Sequence, residues 1–409
     1  MEAGSSGAPD PHPAYGSLAP VGEWLLAEGR FLPRLEDVFG GLVDQVQATG
    51  LPLLRCGLHV AILHPQLVAL SVHWWQGRGV SVVERRRYAG WENAGYLDSP
   101  LAVVSAGLGT VRRRLVGTNA PGDFPILAEL AESGGTDYYV MPLIFGDRAV
   151  GAALSWCTDR PGGFADRDLA ALDAIGPLLA TLCELRVLRG LASTILDTYI
   201  GRTAGQRVLA GTIVRGSGER LDAVVWYCDL RGFTARAEAG PPESVIALLN
   251  AYFETMAGAV QRHGGEVLKF IGDGMLAIFP ITSGASAEAA CHRALLAART
   301  ARDEMSALDR EVQANGGAPV GYGIALHVGE VTYGNIGAPD RLDFTVIGPA
   351  VNQAARVEGL CQALGQPVLT TTAVAQHAGD GVEPLGRFLL RGIEEPQQLW
   401  GLSPASSRP

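Results

Sequence analysis

The chain has 409 residues, 47% of them apolar, and a formal net charge of −10. That length suits two or three domains with separate cores, and the acidic balance excludes a surface that coats nucleic acid. No run approaches the roughly 18 uninterrupted apolar residues of a membrane span, and no basic-then-apolar leader opens the sequence, so the expectation is a cytoplasmic protein with no membrane span. Six scattered cysteines (Cys56, Cys157, Cys183, Cys228, Cys291, Cys361) form no C-x-x-C pair. Most sit in apolar runs and read as buried free thiols in a reducing compartment.

Met1–Pro20 is rich in Gly, Ser, Pro and Ala and reads as a disordered tail. Apolar residues then recur at helical spacing from Val21 to Val46, with a break around Gly29–Pro33. Leu53–Leu63 and Leu67–Trp75 read as strands separated by the His64-Pro65 turn. Pro100–Ala106 reads as helical, Val111–Val116 as extended and Phe124–Ser133 as helical. Tyr138–Phe145 and Ala149–Trp156 form a hairpin closed by Gly146-Asp147. An amphipathic helix follows from Asp166 to Gly190. The clusters Arg85–Arg87 and Arg112–Arg114 are most simply solvated strand or loop ends, with an anion site the lesser alternative.

Leu188, Leu191, Ile195, Leu196, Tyr199 and Ile200 recur at spacings of three and four, and Arg202–Ala210 adds a short amphipathic helix before Gly211. From Asp222 the pattern alternates: strand 222–229, helix 242–263, a hairpin 266–279, helix 285–307, and strands 320–328, 330–336 and 343–347. Helix 349–363, strand 367–370 and a hairpin 383–402 complete it. This β-α-β-β-α-β order predicts an α+β, ferredoxin-like sheet with helices on one face.

Chemistry concentrates in three runs: Val224–Thr234 (VVWYCDLRGFT), Glu266–Phe279 (EVLKFIGDGMLAIF) and Arg341–Arg356 (RLDFTVIGPAVNQAAR). Asp229 ends an apolar strand, and Asp273 sits at the tip of the tight turn Gly272–Gly274. Two strand-end aspartates can converge across a sheet and hold hard cations, and Mg²⁺ so held completes its shell with substrate phosphates. The backbone N–H groups of Leu230–Thr234, leading into a helix, would suit a phosphate.

In this order the three runs resemble the class III nucleotidyl cyclase catalytic domain, in its Thr-containing adenylate cyclase subgroup. The resemblance implies metal binding at Asp229, Leu230 and Asp273, with two Mg²⁺ or Mn²⁺ ions bridging the triphosphate of ATP. It places base reading at Lys269 and Thr345, and phosphate binding at Gly232, Phe233, Thr234 and Arg391. Asn352 and Arg356, four apart on one helix face, match the catalytic transition-state pair. A lysine offers only donors, which suits N1 of adenine. Asp343 lies close to Thr345, but the spacing to Gly348 and Asn352 puts it two residues early. Arg391 stands where the family usually has Lys, and Pro349 where Asp is more usual.

In the family one protomer supplies the metals and the other supplies Lys269, Thr345, Asn352 and Arg356, so the resemblance implies a homodimer with two equivalent sites. The implied activity is conversion of ATP to 3′,5′-cyclic AMP and pyrophosphate. A cyclase for GTP or another nucleotide, and a catalytically silent nucleotide-binding module, stay open as alternatives. Upstream, the hairpin, the turn Asp159–Phe164 (DRPGGF) and the following helix resemble the close of a GAF sensor domain over Asp137–Leu188. Such domains are antiparallel sheets flanked by helices, and some bind small molecules. The residues available for a ligand are His59, His73, Trp74, Trp75, Tyr138 and Trp156, though aromatics at alternating strand positions read more simply as core packing. The expected organisation is a tail over 1–20, a GAF-like α/β sensor domain over 21–184 and a helical dimerising linker over 185–218. The cyclase domain spans 219–403, and 404–409 is a second tail.

Overall fold

The structure, a computed structural model, describes residues 18–62, 64–86, 94–116, 123–147, 149–281, 286–378 and 381–403. Most of the two expected tails, Leu63 and Arg87 therefore lie outside the described residues. The chain divides into two compact units, Met1–Ile195 and Leu196–Pro409. No helix among the described residues is long and apolar enough to cross a membrane.

In the first unit, α1 (Ala19–Ala27) and a 3-10 turn precede α2 (Leu35–Ala48), the break falling where Gly29–Pro33 predicted it. Then come β1 (Arg55–Ala61), β2 (Leu67–Trp75), β3 (Gly79–Arg86), α3 (Ala94–Leu97), α4 (Pro100–Ser105) and β4 (Val111–Arg114). They are followed by α5 (Pro125–Glu132), β5 (Asp137–Ile144), β6 (Val150–Thr158) and α6 (Asp166–Ile200). The six strands form one sheet in the order β3-β2-β1-β6-β5-β4. Every pairing is antiparallel. The apolar stripe Leu35, Val38, Phe39, Leu42, Val43 and Val46, spaced three and four apart, turns α2 onto one sheet face, where α1 and α6 share its core. β3 was not anticipated: its exposed valines and basic end weaken the alternating signal.

Two sequence expectations change here. Strand alternation splits the proposed ligand residues: Trp74 and Trp156 enter the α1–α2–α6 core, whereas Tyr138 and Trp75 pack on the opposite face. Arg112–Arg114 are only partly solvated: Arg114 stays half-exposed at the end of β4, but each of the three has an acidic neighbour. Arg112 binds the fully buried Asp137 at 2.8 Å, Arg114 approaches the same carboxylate at 3.5 Å, and Arg113 pairs with Asp123 at 2.8 Å. Asp137 also accepts from the Phe164 amide at 3.0 Å, so this cluster pins the DRPGGF turn.

The helix expected to stop at Gly190 runs on without interruption to Ile200, through Pro177. After α7 (Arg202–Leu209), the second unit contains β7 (Gly218–Leu230), α8 (Phe233–Ala239), α9 (Pro242–Arg262), β8 (Glu266–Ile271) and β9 (Gly274–Ile281). It continues through α10 (Ala287–Ala314), β10 (Tyr322–Ala338), β11 (Arg341–Ile347), α11 (Pro349–Glu358), β12 (Val368–Thr371) and α12 (Thr372–Ala375), and ends with β13 (Val382–Phe388) and β14 (Gln397–Leu402). Proline opens α9 and α11, where its missing N–H costs nothing, and the Ser286 hydroxyl caps α10.

The sheet order is β13-β14-β12-β10-β7-β9-β8, with β11 paired to β10. The stretch β10-β7-β9-β8 is fully antiparallel and realises the expected β-α-β-β-α-β arrangement. The two strands expected over 320–336 are one long strand, β10. Helices cover both faces, not one. Met256 of α9 and Ala294 of α10 pack with Val224, Trp226 and Cys228 of β7, while Ala204 of α7 and Ala350 and Ala354 of α11 pack with Ala223 and Val225. All six cysteines are free and buried.

Candidate active site

The alternation of β7 decides what its end presents. Val224, Trp226, Cys228 and Leu230 point to the α9–α10 core, so Asp229 belongs to the α11 side, with Val225 and Tyr227. Across the ladder Asp229 pairs with Gly274 of β9, which sets it beside Asp273. Gly272 takes a positive φ of 63° to make that turn. The Leu230 amide bonds the Asp273 carbonyl at 3.3 Å. Burial first, and then the neighbouring Asp273 charge, raise the Asp229 carboxyl above its ordinary value. Among the described residues no lysine or arginine forms an ion pair with either aspartate. Leu230 has a hydrocarbon side chain, so the one oxygen it can offer is its main-chain carbonyl.

The amide run after β7 is narrower than its sequence suggested. The Leu230 and Arg231 amides are taken by the carbonyls of Asp273 and Gly321, the latter at 2.9 Å. Gly232, Phe233 and Thr234 are left at the opening of the seven-residue α8.

The other candidates fall into two groups. Lys269, beyond a bulge in β8, brings its ammonium 3.6 Å from Asp343 on β11. Thr345 shares that strand face; it is 3% exposed, and its hydroxyl has no hydrogen-bond partner among the described residues. The residue that spacing set aside is thus the one against Lys269. On α11, Ala350, Ala354, Val357 and Glu358 are buried, whereas Asn352 and Arg356 are exposed together. A Cβ added at Gly392 would stand 3.5 Å from an Arg356 amino nitrogen, so Arg356 adjoins the Arg391–Gly392 turn.

Two residues escaped the sequence reading. Arg231 forms an ion pair with Glu358 and donates to its main-chain carbonyl at 2.8 Å. Glu358 lies over Gly323, the ladder partner of Asp229, and a Cβ at Gly323 would stand 2.3 Å from its carboxylate. Only glycine fits beneath the pair. Burial pushes the Glu358 carboxyl up to about 7; Arg231 opposes the rise, while Asp229 and Asp273 add to it. Arg231 and Glu358 are 127 positions apart, and no periodicity links them.

Residues 218–401 match the family described as the adenylate and guanylate cyclase catalytic domain. The chain carries a class III cyclase catalytic domain. Adenylate cyclase of Anabaena cylindrica is 32% identical over 162 residues, 40% of this chain. Adenylate cyclase 1 of Rhizobium meliloti is 31% identical over 248 residues, 59% of this chain. The chain spans only 32% and 37% of the lengths of these two relatives. Among solved structures, the adenylyl cyclase CyaB from P. aeruginosa is 27% identical at a TM-score of 0.42, covering 47% of this chain and 98% of that one. The guanylyl cyclase Cya2 is 30% identical at 0.41, covering 46% and 97%. The cyclase match begins at residue 218, the first residue of β7.

Proposed function

We propose that the chain is an adenylate cyclase that converts ATP to 3′,5′-cyclic AMP and pyrophosphate at sites shared by two copies of the chain. The observation carrying this reading is the acidic pair: Asp229 and Asp273 lie side by side, half-buried, without a cationic partner among the described residues. Such repulsion is costly unless a bound cation offsets it. Two carboxylates and one main-chain oxygen suit Mg²⁺ or Mn²⁺, which prefer oxygen ligands and fill further positions from phosphate and water. When bound, two such ions would neutralise the triphosphate and lower the pKa of the ribose 3′-hydroxyl.

The protein groups then have separate tasks. The amides of Gly232, Phe233 and Thr234, with the Arg391 guanidinium, hold the phosphates. Lys269 donates to adenine N1, and Thr345 together with Asp343 faces the 6-amino edge; the carboxylate supplies the acceptor that this edge needs. Asn352 orients the ribose. Arg356 opposes the charge that grows on the α-phosphate as the bond changes.

The exposed face of α11 favours a two-chain site, since Asn352 and Arg356 point outward for a partner to use. Along α6, Leu185, Leu188, Ile195 and Tyr199 are exposed at three-, seven- and four-residue intervals, a seam suited to pairing with a second helix. In this reading the first unit is a sensor, and α6 with α7 is the transducing and dimerising element.

The test is product formation by the purified chain given ATP or GTP with Mg²⁺ or Mn²⁺, beside Asp273→Ala. Cyclic AMP from ATP alone, abolished in the variant, is the expected result. Cyclic GMP from GTP would overturn the base assignment. Silence with both nucleotides, repeated on residues 191–409, would overturn the enzymatic reading.

A further inference from the structure

One face of the first unit's sheet gathers cationic and polar side chains that cyclisation has no use for. Cys56, Leu58, Val60, Val72 and Trp74 enter the α1–α2–α6 core, so the alternate residues Arg55, His59, Ser71 and His73 share the opposite face. Arg85 joins them from β3, whose register sets it across from Ala69. Over β4–β6 the same face is apolar, with Val104 of α4 packed on Val111, Val140 and Ala153. Ordinary core packing fills that half; the β1–β3 half is built differently.

The polar atoms converge. A Cβ at Gly57 would stand 2.8 Å from His59 Nε2, 2.8 Å from Ser155 Oγ and 3.2 Å from His73 Nδ1, so these atoms pack over Gly57 as a closed polar floor with no room for a side chain. His59 Nδ1 engages Ser71 Oγ at 2.9 Å, which leaves Nε2 facing this floor. An Arg55 amino group lies 3.3 Å from His73 Nδ1, its Nε is buried without a partner, and its guanidinium sits 5.3 Å from the centre of the Trp75 ring. Among the described residues no carboxylate pairs with Arg55 or Arg85.

Among the described residues the charge is therefore one-sided. Burial, with the positive charges of Arg55 and Arg85, keeps both imidazoles neutral: His59 is held well below its ordinary range and His73 at about 4. A partly desolvated guanidinium without a counter-ion is costly, and an entering anion supplies the missing charge through strong, directional hydrogen bonds.

We propose that this face binds a small organic anion. Its carboxylate or phosphate lies between Arg55 and Arg85, with His59 as a hydrogen-bond partner and Trp75 flanking the apolar body. The proposal stands apart from the cyclase reading, because it is tested without nucleotide.

Calorimetry on the full chain at neutral pH, with benzoate, inorganic phosphate and neutral benzamide as probes, decides it. At least one anion should bind saturably, about tenfold or more tighter than benzamide, and Arg55→Met should weaken it by about tenfold or more with thermal unfolding unchanged. Binding of benzoate alone assigns a carboxylate with a planar body; binding of phosphate alone assigns a phosphoryl head. Should Arg55→Met fail to fold, histidine NMR on the unaltered chain replaces it: saturating anion should raise the His73 pKa from about 4. Absence of saturable uptake of either anion up to about 10 mM, equal affinity in Arg55→Met, or an unmoved His73 titration would overturn the proposal.

Discussion

Arg231 ties the loop after β7 to the last turn of α11 by binding both the carboxylate and the main-chain carbonyl of Glu358, the latter at 2.8 Å. The two elements joined this way carry Asp229 on one side and Asn352 with Arg356 on the other. Removing Arg231 lets the buried Glu358 carboxyl take up a proton but leaves it without its hydrogen-bond partner, so Arg231→Met should cost about 1–3 kcal/mol of unfolding free energy. Glu358→Gln in the same chain should recover part of that loss. Denaturant unfolding of both single variants and the double gives the coupling energy; a value within about 0.5 kcal/mol of zero would mean the pair is incidental.

The same carboxyl predicts a direction with pH. Its folded pKa, about 7, lies above the ordinary value of 4.5, so the folded chain binds this proton more tightly than the unfolded chain does. Stability contributed by the protonated form is present below the ordinary value and is lost as pH rises through the folded one. Thermal unfolding from pH 5 to pH 8 should show this loss in the native chain and a smaller one in Glu358→Gln. Equal slopes would refute the assignment.

Asp273→Ala should separate activity from stability. If the proposed site holds, turnover should fall by at least about a hundredfold, because one of the two carboxylates assigned to the cation is gone. The melting temperature should hold or rise, since the charge that pushes Asp229 up has been removed. A large drop in melting temperature would recast Asp273 as structural.

If the proposed two-chain site holds, Asp273→Ala and Arg356→Ala, each inactive alone, should regain activity on mixing, because one site of the mixed dimer then keeps both intact halves. Absence of rescue, with mixed dimers verified by mass, would rule out a shared site.

On the proposed assignment, Lys269→Glu exchanges a donor for an acceptor at the base edge. It should lower kcat/KM for ATP by about tenfold to a hundredfold, with less loss for GTP. Parallel losses for both nucleotides would show that Lys269 serves the phosphates or the fold instead.

Much of the architecture was legible because the strands are apolar and their ends are marked. Gly272–Gly274 announced the β8–β9 turn, and the spacing of Asn352 and Arg356 placed them on one helical face. Arg231 with Glu358, and Lys269 with Asp343, were not legible as pairs, because a contact between distant segments leaves no local period. Arg112–Arg114 misled for the same reason: a basic run looks solvated until a buried Asp137 is folded against it. Gly190 marked an apparent end to the first part of α6, but a lone glycine weakens a helix locally without ending it, and the periodic run from Leu188 to Ile200 carries the helix on.

The cysteines have a practical consequence. Burial raises every thiol: Cys56 well above the usual range, Cys291 to about 11, and the other four to about 12. Alkylating reagents and peroxide attack the thiolate, so the native chain should be inert to both. Cys56, Cys157 and Cys183 fall in the first unit, and Cys228, Cys291 and Cys361 in the second. Pulse alkylation read by peptide mass would thus clock the opening of each unit separately, with the chain's own thiols as labels.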